Sequence, residues 1–244
     1  MTPELPTALA ALVTPFDAAG EIDFDAHRHN VAHLAGRGLS GVLIAGSTGE
    51  GPYIEPGERA RLVHQARAAD DAMFILGGVA AETIRTAVAQ LDELAGAGAQ
   101  AVLVLTPTAM ARGDVEAAKR FYLALADHTP VPLLLYSVPK WTAYELPEPA
   151  VYELANHDSI VGMKDSGGDI RRIARLIANL PEDFKMFNGA SAVLGQAVWS
   201  GAYGGITASA NYAPELVRTV VDGGRIEDQR KLAAFAAAVA VSYT

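Results

Sequence analysis

The sequence predicts an α/β protein, a closed (β/α)8 TIM barrel followed by a short extra helix at the C-terminal end. Three observations support this prediction: the length, the regular recurrence of short apolar runs, and helical periodicity between those runs. The 244 residues are 50% hydrophobic and 19% charged. This is a globular composition, and the length suits a single α/β barrel.

The apolar runs are rich in Val, Ile and Leu and nearly continuous, which is typical of parallel strands buried on both faces. Their spacing falls from 32 residues, between the first two, to 19 residues, between the last two. Eight evenly repeated units favour closure into a barrel. The runs begin near Leu9, Gly41, Met73, Ala101, Pro132, Ile160, Lys185 and Gly204.

The segments between the runs have the spacing of amphipathic helices. One apolar face is marked by Ala60, Leu62, Val63 and Ala66, and another by Ile84, Val88, Leu91, Leu94 and Ala95. An open doubly wound sheet is the alternative. It is disfavoured because Leu12-Val13-Thr14-Pro15-Phe16 stands where its Gly-x-Gly-x-x-Gly signature is expected.

The chain is predicted to form one catalytic barrel domain, because no Ser/Gly/Pro-rich linker interrupts the repeats. We expect the barrel to span residues 1–225 and the C-terminal helix residues 226–244, the latter as the start of a truncated helical extension. Active sites of such barrels lie at the C-terminal ends of the strands. The loops expected to carry chemistry begin at Thr14, Ala45, Gly78, Thr106, Ser137, Asp165, Gly189 and Ser209.

Charge and composition exclude several classes of protein. The formal net charge is −9 and there is no basic run, so nucleic acid and anionic membranes are unexpected partners. The absence of cysteine excludes disulfides, thiolate catalysis and iron–sulfur clusters, and it fits a cytoplasmic protein. No apolar run approaches the ~20 residues of a membrane span.

Lys164 is the lysine with the strongest indication of a chemical role. It ends the apolar run Ile160–Lys164 at the predicted catalytic rim, where a buried lysine is rare. Burial lowers the pKa of an amine and favours the neutral nucleophile that a Schiff base needs. The structural alternative is a lysine that only pairs with Asp165 or another carboxylate.

Tyr136 ends the fifth predicted strand at the same rim. Because strands five and six are neighbours in a barrel, Tyr136 and Lys164 can face one cavity. A phenol can donate and accept the protons of carbinolamine chemistry. The alternative is a core tyrosine whose hydroxyl binds a backbone carbonyl.

The turn Gly46–Glu50 follows the second strand and offers backbone N–H groups and hydroxyls that could hold a carboxylate. Gly189 and Gly204-Gly205 lie at strands seven and eight, where barrels often bind phosphate. They leave open a phosphate-binding isomerase. His29 and His33 have i, i+4 spacing on a predicted helix, but no third ligand accompanies them, so neither a metal nor a cofactor is expected.

Three ordered motifs resemble those of one enzyme family. Gly46-Ser47-Thr48-Gly49-Glu50, Tyr136-Ser137-Val138-Pro139 and Gly162-Met163-Lys164-Asp165-Ser166 are similar to motifs of the dihydrodipicolinate synthase and N-acetylneuraminate lyase family. The resemblance runs from about residue 8 to the C-terminus.

The resemblance implies a class I aldolase or lyase in which Lys164 forms a Schiff base with pyruvate or a pyruvate-derived keto acid. It implies that Tyr136 moves protons and that Ser47 and Thr48 hold the pyruvate carboxylate and complete the relay. The backbone carbonyl of Ile206 would line the pocket. It also implies a homo-oligomer, a dimer or tetramer, whose ligand is a small keto acid.

The chain departs from the synthase members at the aldehyde half of the pocket. Thr108 and Ala109 stand where those members carry tyrosines, and Trp141 stands where they carry an arginine that binds a carboxylate. These three residues are therefore the candidate specificity residues. We expect cleavage or formation of a 4-hydroxy-2-keto or 2-keto-3-deoxy acid. The alternatives are dihydrodipicolinate synthesis from pyruvate and aspartate semialdehyde, and a non-catalytic barrel that binds a keto acid.

Overall fold

The computed structural model describes residues 4–109 and 112–242, and there eight parallel strands form a closed barrel. Strands that follow one another in sequence pair side by side, and the last closes on the first through Leu9 and Ile206. The (β/α)8 prediction is confirmed. The strands are β1 (Ala8–Ala11), β2 (Gly41–Ile44), β3 (Phe74–Val79), β4 (Ala101–Leu105), β5 (Leu133–Ser137), β6 (Ile160–Asp165), β7 (Lys185–Asn188) and β8 (Gly204–Thr207).

Helices follow the strands on the outside of the barrel. They are α1 (Phe24–Gly36), α2 (Glu58–Ala69), α3 (Ile84–Gly96), α4 (Val115–His128), α5 (Pro139–Thr142), α6 (Glu148–Leu154), α7 (Ile170–Asn179), α8 (Leu194–Trp199), α9 (Pro214–Val221) and α10 (Ile226–Ser242). Helix α10 is the predicted extra helix. Residues 243 and 244 of that predicted segment lie outside the described residues.

Helix starts are specified by capping side chains. The side chains of Asp23, Thr83, Asp114 and Asp169 each accept a hydrogen bond from a backbone N–H in the first turn of the helix that follows. Such caps satisfy N–H groups that have no partner within a helix. The four β-to-α connections that precede these helices therefore end at defined residues.

The apolar residues form two layers, one inside the barrel and one between the strands and the helices. The inner layer contains Leu9, Leu43, Leu76, Leu103, Leu134, Tyr136, Phe187 and Ile206. Strand residues of the opposite face pack on the helices, among them Ile75, Val102, Leu135 and Met163. This double burial explains the continuous apolar runs of the sequence.

A few predicted boundaries are wrong. Gly78 lies inside β3 rather than at the start of a loop, and Ser137 and Asp165 are the last residues of their strands. Ile84, predicted on the apolar face of α3, is exposed because it is the first residue of that helix and lies at the rim. No described helix has both the length and the apolar character to cross a membrane.

Candidate active site

Lys164 and Tyr136 face each other at the C-terminal ends of β6 and β5. They are register partners on the two neighbouring strands. The Nζ atom of Lys164 lies 4.5 Å from the centroid of the Tyr136 ring, and both side chains are at least 95% buried. The structure thus brings together the two residues that the sequence singled out.

The Tyr136 hydroxyl lies in a hydrogen-bonded cluster. Burial opposes ionisation of this phenol, but the charge of Lys164 and hydrogen bonds with Ser47, Ser166 and Lys164 together outweigh it and lower the pKa of Tyr136. A phenol that gives up its proton more readily than free tyrosine is suited to proton transfer near neutral pH. The contact with Ser47 supports the predicted proton relay.

Ser166 is a site residue to which no role was assigned from the sequence, although strand periodicity could have found it. Side chains two residues apart along a strand point to the same face. Lys164 and Ser166 therefore face the barrel interior together, and the intervening Asp165 faces outward. The bond between Ser166 and Tyr136 follows from this alternation.

Asp165 pairs with Arg172 on the outer side of β6, with 3.0 Å between Nε and Oδ2. Both side chains are buried, and Asp165 also accepts the N–H of Gly167 at 2.7 Å. The alternative in which Lys164 closes the barrel by pairing with Asp165 is therefore not what the structure describes. Lys164 makes no ion pair with any carboxylate of the described residues.

Gly189 makes space for the reactive groups. A Cβ atom at this position would lie 2.7 Å from Lys164 Cε and 2.0 Å from Ser166 Oγ. The other glycines of the predicted phosphate site are equally explained by packing. A Cβ on Gly204 would lie 1.9 Å from the carbonyl oxygen of Thr7, and one on Gly205 2.6 Å from the side chain of Leu194.

The turn after β2 is held in an uncommon backbone conformation. Ala45 and Glu50, which flank it, have φ angles of 54° and 56°, in the left-handed region that non-glycine residues rarely adopt. Such strain is typical of functional sites. Inside the turn, Ser47 contacts Tyr136, while Thr48 lies next to it, half-buried. Their proposed binding of a carboxylate stays a prediction.

Ile206 is fully buried on β8, and its side chain belongs to the same inner layer as Tyr136. Its position at the C-terminal end of the barrel matches the sequence prediction. The role of its carbonyl group in binding a ligand also stays a prediction.

A cavity of about 560 Å³ lies at the C-terminal rim of the barrel, among the segments that follow β2, β3, β4 and β5. Ser47, Ala80 and Leu105 line both this cavity and a small recess against Tyr136, so the two spaces adjoin. Two of the predicted specificity residues, Thr108 and Trp141, lie in its wall, and Trp141 is 69% exposed. The described lining also includes Glu50 and Glu82 but no lysine or arginine.

The loop after β4 is fastened to the loop after β3 by Glu82. The Glu82 carboxylate accepts hydrogen bonds from Thr108 N–H, from the Thr108 hydroxyl at 2.6 Å and from Ala109 N–H at 2.8 Å. Burial opposes ionisation of this carboxyl, but these bonds outweigh it and lower the pKa of Glu82. The third specificity candidate, Ala109, is exposed and contributes its backbone to this contact.

The histidines lie away from this site. His29 and His33 are exposed and stack on one another along α1, with 6.3 Å between the ring centroids. No group of three or more metal-ligating side chains exists among the described residues. A further cavity of about 660 Å³ lies at the opposite rim, where β6 and β7 begin, and Lys185 lines it.

The fold and the lysine–tyrosine pair define a barrel enzyme of the pyruvate-dependent class I aldolase and lyase type. The chain belongs to the dihydrodipicolinate synthetase family, whose family model matches residues 4–237.

Curated relatives and solved structures agree with this assignment. A 4-hydroxy-tetrahydrodipicolinate synthase from Xanthomonas axonopodis pv. citri is 34% identical over 93% of this chain and 74% of the relative. The synthase of Thiobacillus denitrificans is 32% identical over 86% of this chain and 71% of its own length. The pyruvate complex of the Acinetobacter baumannii dihydrodipicolinate synthase has 25% identity and a TM-score of 0.88, covering 95% of this chain and 80% of that one.

Proposed function

We propose that this enzyme forms a covalent Schiff base between Lys164 and pyruvate and joins the resulting enamine to an aldehyde, or releases it in the reverse direction. The observation that carries the proposal is the buried Lys164 amine beside the Tyr136 hydroxyl, with Ser47 and Ser166 hydrogen-bonded to that hydroxyl. Membership of the family supports it.

In this proposal the Lys164 amine attacks the keto carbon of pyruvate, and loss of water from the carbinolamine gives the imine. A proton leaves the methyl carbon to form the enamine, whose carbon attacks the aldehyde carbonyl. Tyr136 transfers the protons at the carbinolamine and at the aldehyde oxygen, with Ser47 as its partner. Ser47, Thr48 and the carbonyl of Ile206 would hold the pyruvate half, and water releases the product from the imine.

The names of the relatives favour dihydrodipicolinate synthesis, with aspartate semialdehyde as the second substrate. The sequence instead predicts aldol chemistry on a hydroxylated keto acid. A specific observation favours the second candidate, aldol chemistry on a 4-hydroxy-2-keto or 2-keto-3-deoxy acid. The described wall of the 560 Å³ cavity carries Trp141 and two carboxylates, and no cation that could bind the semialdehyde carboxylate.

The experiment has two parts. Borohydride reduction in the presence of pyruvate, followed by peptide mapping, should place one reduced pyruvyl group on Lys164. A label on Lys140, or no label, would contradict the proposal. Rates with pyruvate and aspartate semialdehyde are then compared with rates of aldol cleavage over a panel of hydroxy-keto acids. The faster reaction decides between the two candidates. A protein that is labelled at Lys164 but turns over nothing in either panel would be a non-catalytic keto-acid-binding barrel.

The expected homo-oligomer also belongs to this proposal. Light scattering of the purified protein measures its mass in solution, and a monomeric mass would contradict the expectation.

A further inference from the structure

The loop after β4 presents a ready-made anion site that the protein itself occupies. Two successive backbone N–H groups, of Thr108 and Ala109, and the Thr108 hydroxyl converge on one carboxylate. Consecutive N–H groups of this kind form concave sites that bind anions in many proteins. Here the anion is Glu82, supplied by the neighbouring loop after β3.

Glu82 belongs to the wall of the 560 Å³ cavity, which adjoins the recess against Tyr136. Glu82, Thr108 and Trp141 all line that cavity. The hydrogen-bond donors of the β4 loop that could bind a carboxylate of an incoming aldehyde are therefore already used. A negative charge also stands in the wall of the cavity that such an aldehyde would enter.

The bonding pattern favours the ionised form of the side chain. Three donors point at the two carboxylate oxygens, and two of them are backbone N–H groups, which cannot accept a hydrogen bond from a protonated carboxyl. The lowered pKa of Glu82 agrees with this geometry. The wall of the cavity is therefore anionic at neutral pH.

We propose that Glu82 is a specificity residue that acts as a built-in carboxylate, excluding anionic aldehydes and reserving the cavity for neutral, hydroxylated ones. It acts by occupying the donors of Thr108 and Ala109 and by like-charge repulsion. This inference rests on the proposed pyruvate chemistry, because it concerns the aldehyde half of the same reaction. Glu82 takes no part in forming the Schiff base.

The test compares glyoxylate, which carries a carboxylate, with glyceraldehyde, which is neutral, each as acceptor for pyruvate. In Glu82→Gln the KM for glyoxylate should fall about fivefold, the size expected for a partly solvated charge contact. The KM for glyceraldehyde and that for pyruvate should change little. Glu82→Asp keeps the negative charge and should retain the preference of the unmodified enzyme for glyceraldehyde over glyoxylate. Glu182→Gln makes the same change of net charge at the opposite rim of the barrel. It should leave the KM for both acceptors unchanged.

Ionic strength supplies a readout that needs no variant. Salt screens repulsion between exposed charges. Raising the salt concentration should therefore lower the KM of the unmodified enzyme for glyoxylate but not for glyceraldehyde. The inference would be overturned by equal changes in KM for both acceptors, by an equal effect of Glu182→Gln, or by failure of the unreduced enzyme to use glyceraldehyde. Absence of pyruvate labelling on Lys164 would instead contradict the proposed function, so the two failures are distinguishable.

Discussion

Gly189 on the loop after β7 touches the side chain of Lys164 so closely that no other residue fits without movement. A Cβ atom at position 189 would lie 2.7 Å from Lys164 Cε and 2.0 Å from Ser166 Oγ. Both of these atoms belong to flexible side chains, so the protein can fold by displacing them. The displaced atoms are those that the proposed chemistry uses.

Gly189→Ala should therefore reduce turnover while preserving the fold. A displacement of about 1 Å at a reacting group can cost ~10²-fold in rate. The expected result is a loss of that order in kcat with thermal stability close to that of the parent. Gly96→Ala is the matched control, because Gly96 lies in helix α3 with no atom within 4 Å of its Cβ position. Full activity of Gly189→Ala would show that Lys164 does not need its present position.

Tyr136→Phe should lower kcat by ~10²–10⁴, the usual contribution of a positioned proton-transfer group. The ring and its packing are kept, so labelling of Lys164 by pyruvate and borohydride should persist, at a reduced rate. Tyr144→Phe is the control, since the Tyr144 hydroxyl is buried with no hydrogen-bond partner among the described residues. Turnover of Tyr136→Phe near the parent value would mean that Tyr136 is structural.

The placement of the side chains at the strand ends could be predicted from the sequence, because it depends only on the order of the strands along the chain. The barrel follows from eight repeated apolar runs, and the meeting of Tyr136 with Lys164 follows from strand order alone. Ser166 could have been added from strand periodicity. The contact between Glu82 and Thr108 could not be predicted from the sequence, because it depends on the paths of two loops. Nothing in the composition of the loop after β3 says how closely the loop after β4 approaches it.

The buried pair of Asp165 and Arg172 is predicted to stabilise the loop that carries Ser166. Arg172→Met leaves Asp165 fully buried without its charge partner, and breaking such a pair costs ~3–5 kcal/mol. Denaturant unfolding measures this loss. Arg175→Met is the control on the same helix, because the solvent-exposed Arg175 pairs with Glu148 and such pairs add little to stability. Equal effects of the two substitutions would contradict the prediction.

His27 should make the protein less stable in mild acid. Its Nε2 donates to the carbonyl of Leu62 at 3.1 Å, which leaves a buried Nδ1 without a partner among the described residues. Burial lowers the pKa of His27 below 6.5, only partly offset by the bond to Leu62. The unfolded state therefore binds the proton first, and the free energy of unfolding falls as pH drops below about 6.5.

Uptake of this one proton changes the free energy of unfolding by at most ~1.4 kcal/mol per pH unit. His27→Gln removes the titration and keeps a donor for Leu62, so its unfolding free energy should depend less on pH between 6.5 and 5 than that of the parent. His29→Gln, a matched substitution on the exposed face of the same helix, is the control. A parent and a His27→Gln variant with parallel pH profiles would show that His27 does not titrate on unfolding.

Trp141 and Ala109 are predicted to choose the aldehyde half of the substrate. Trp141 gives the cavity a flat apolar wall with one N–H donor, and the side chain at position 109, in the loop after β4, is small. Lys140 lies over the Trp141 ring, with Nζ 5.5 Å from its centroid, so Trp141 could instead serve only to pack this loop. Trp141→Arg adds the bidentate donor that a substrate carboxylate needs and should raise the rate with aspartate semialdehyde relative to aldol cleavage.

Ala109→Tyr should narrow the range of aldehydes that are accepted. Both variants are measured on one panel of anionic, neutral and aromatic aldehydes with pyruvate, and the label on Lys164 is recorded for each. An unchanged ranking of substrates in both variants would remove these positions from the specificity argument. The label would still report on Lys164, because it forms with pyruvate and borohydride in the absence of any aldehyde. A changed ranking with unchanged labelling would separate the choice of aldehyde, made by the loops after β4 and β5, from the covalent chemistry at the end of β6.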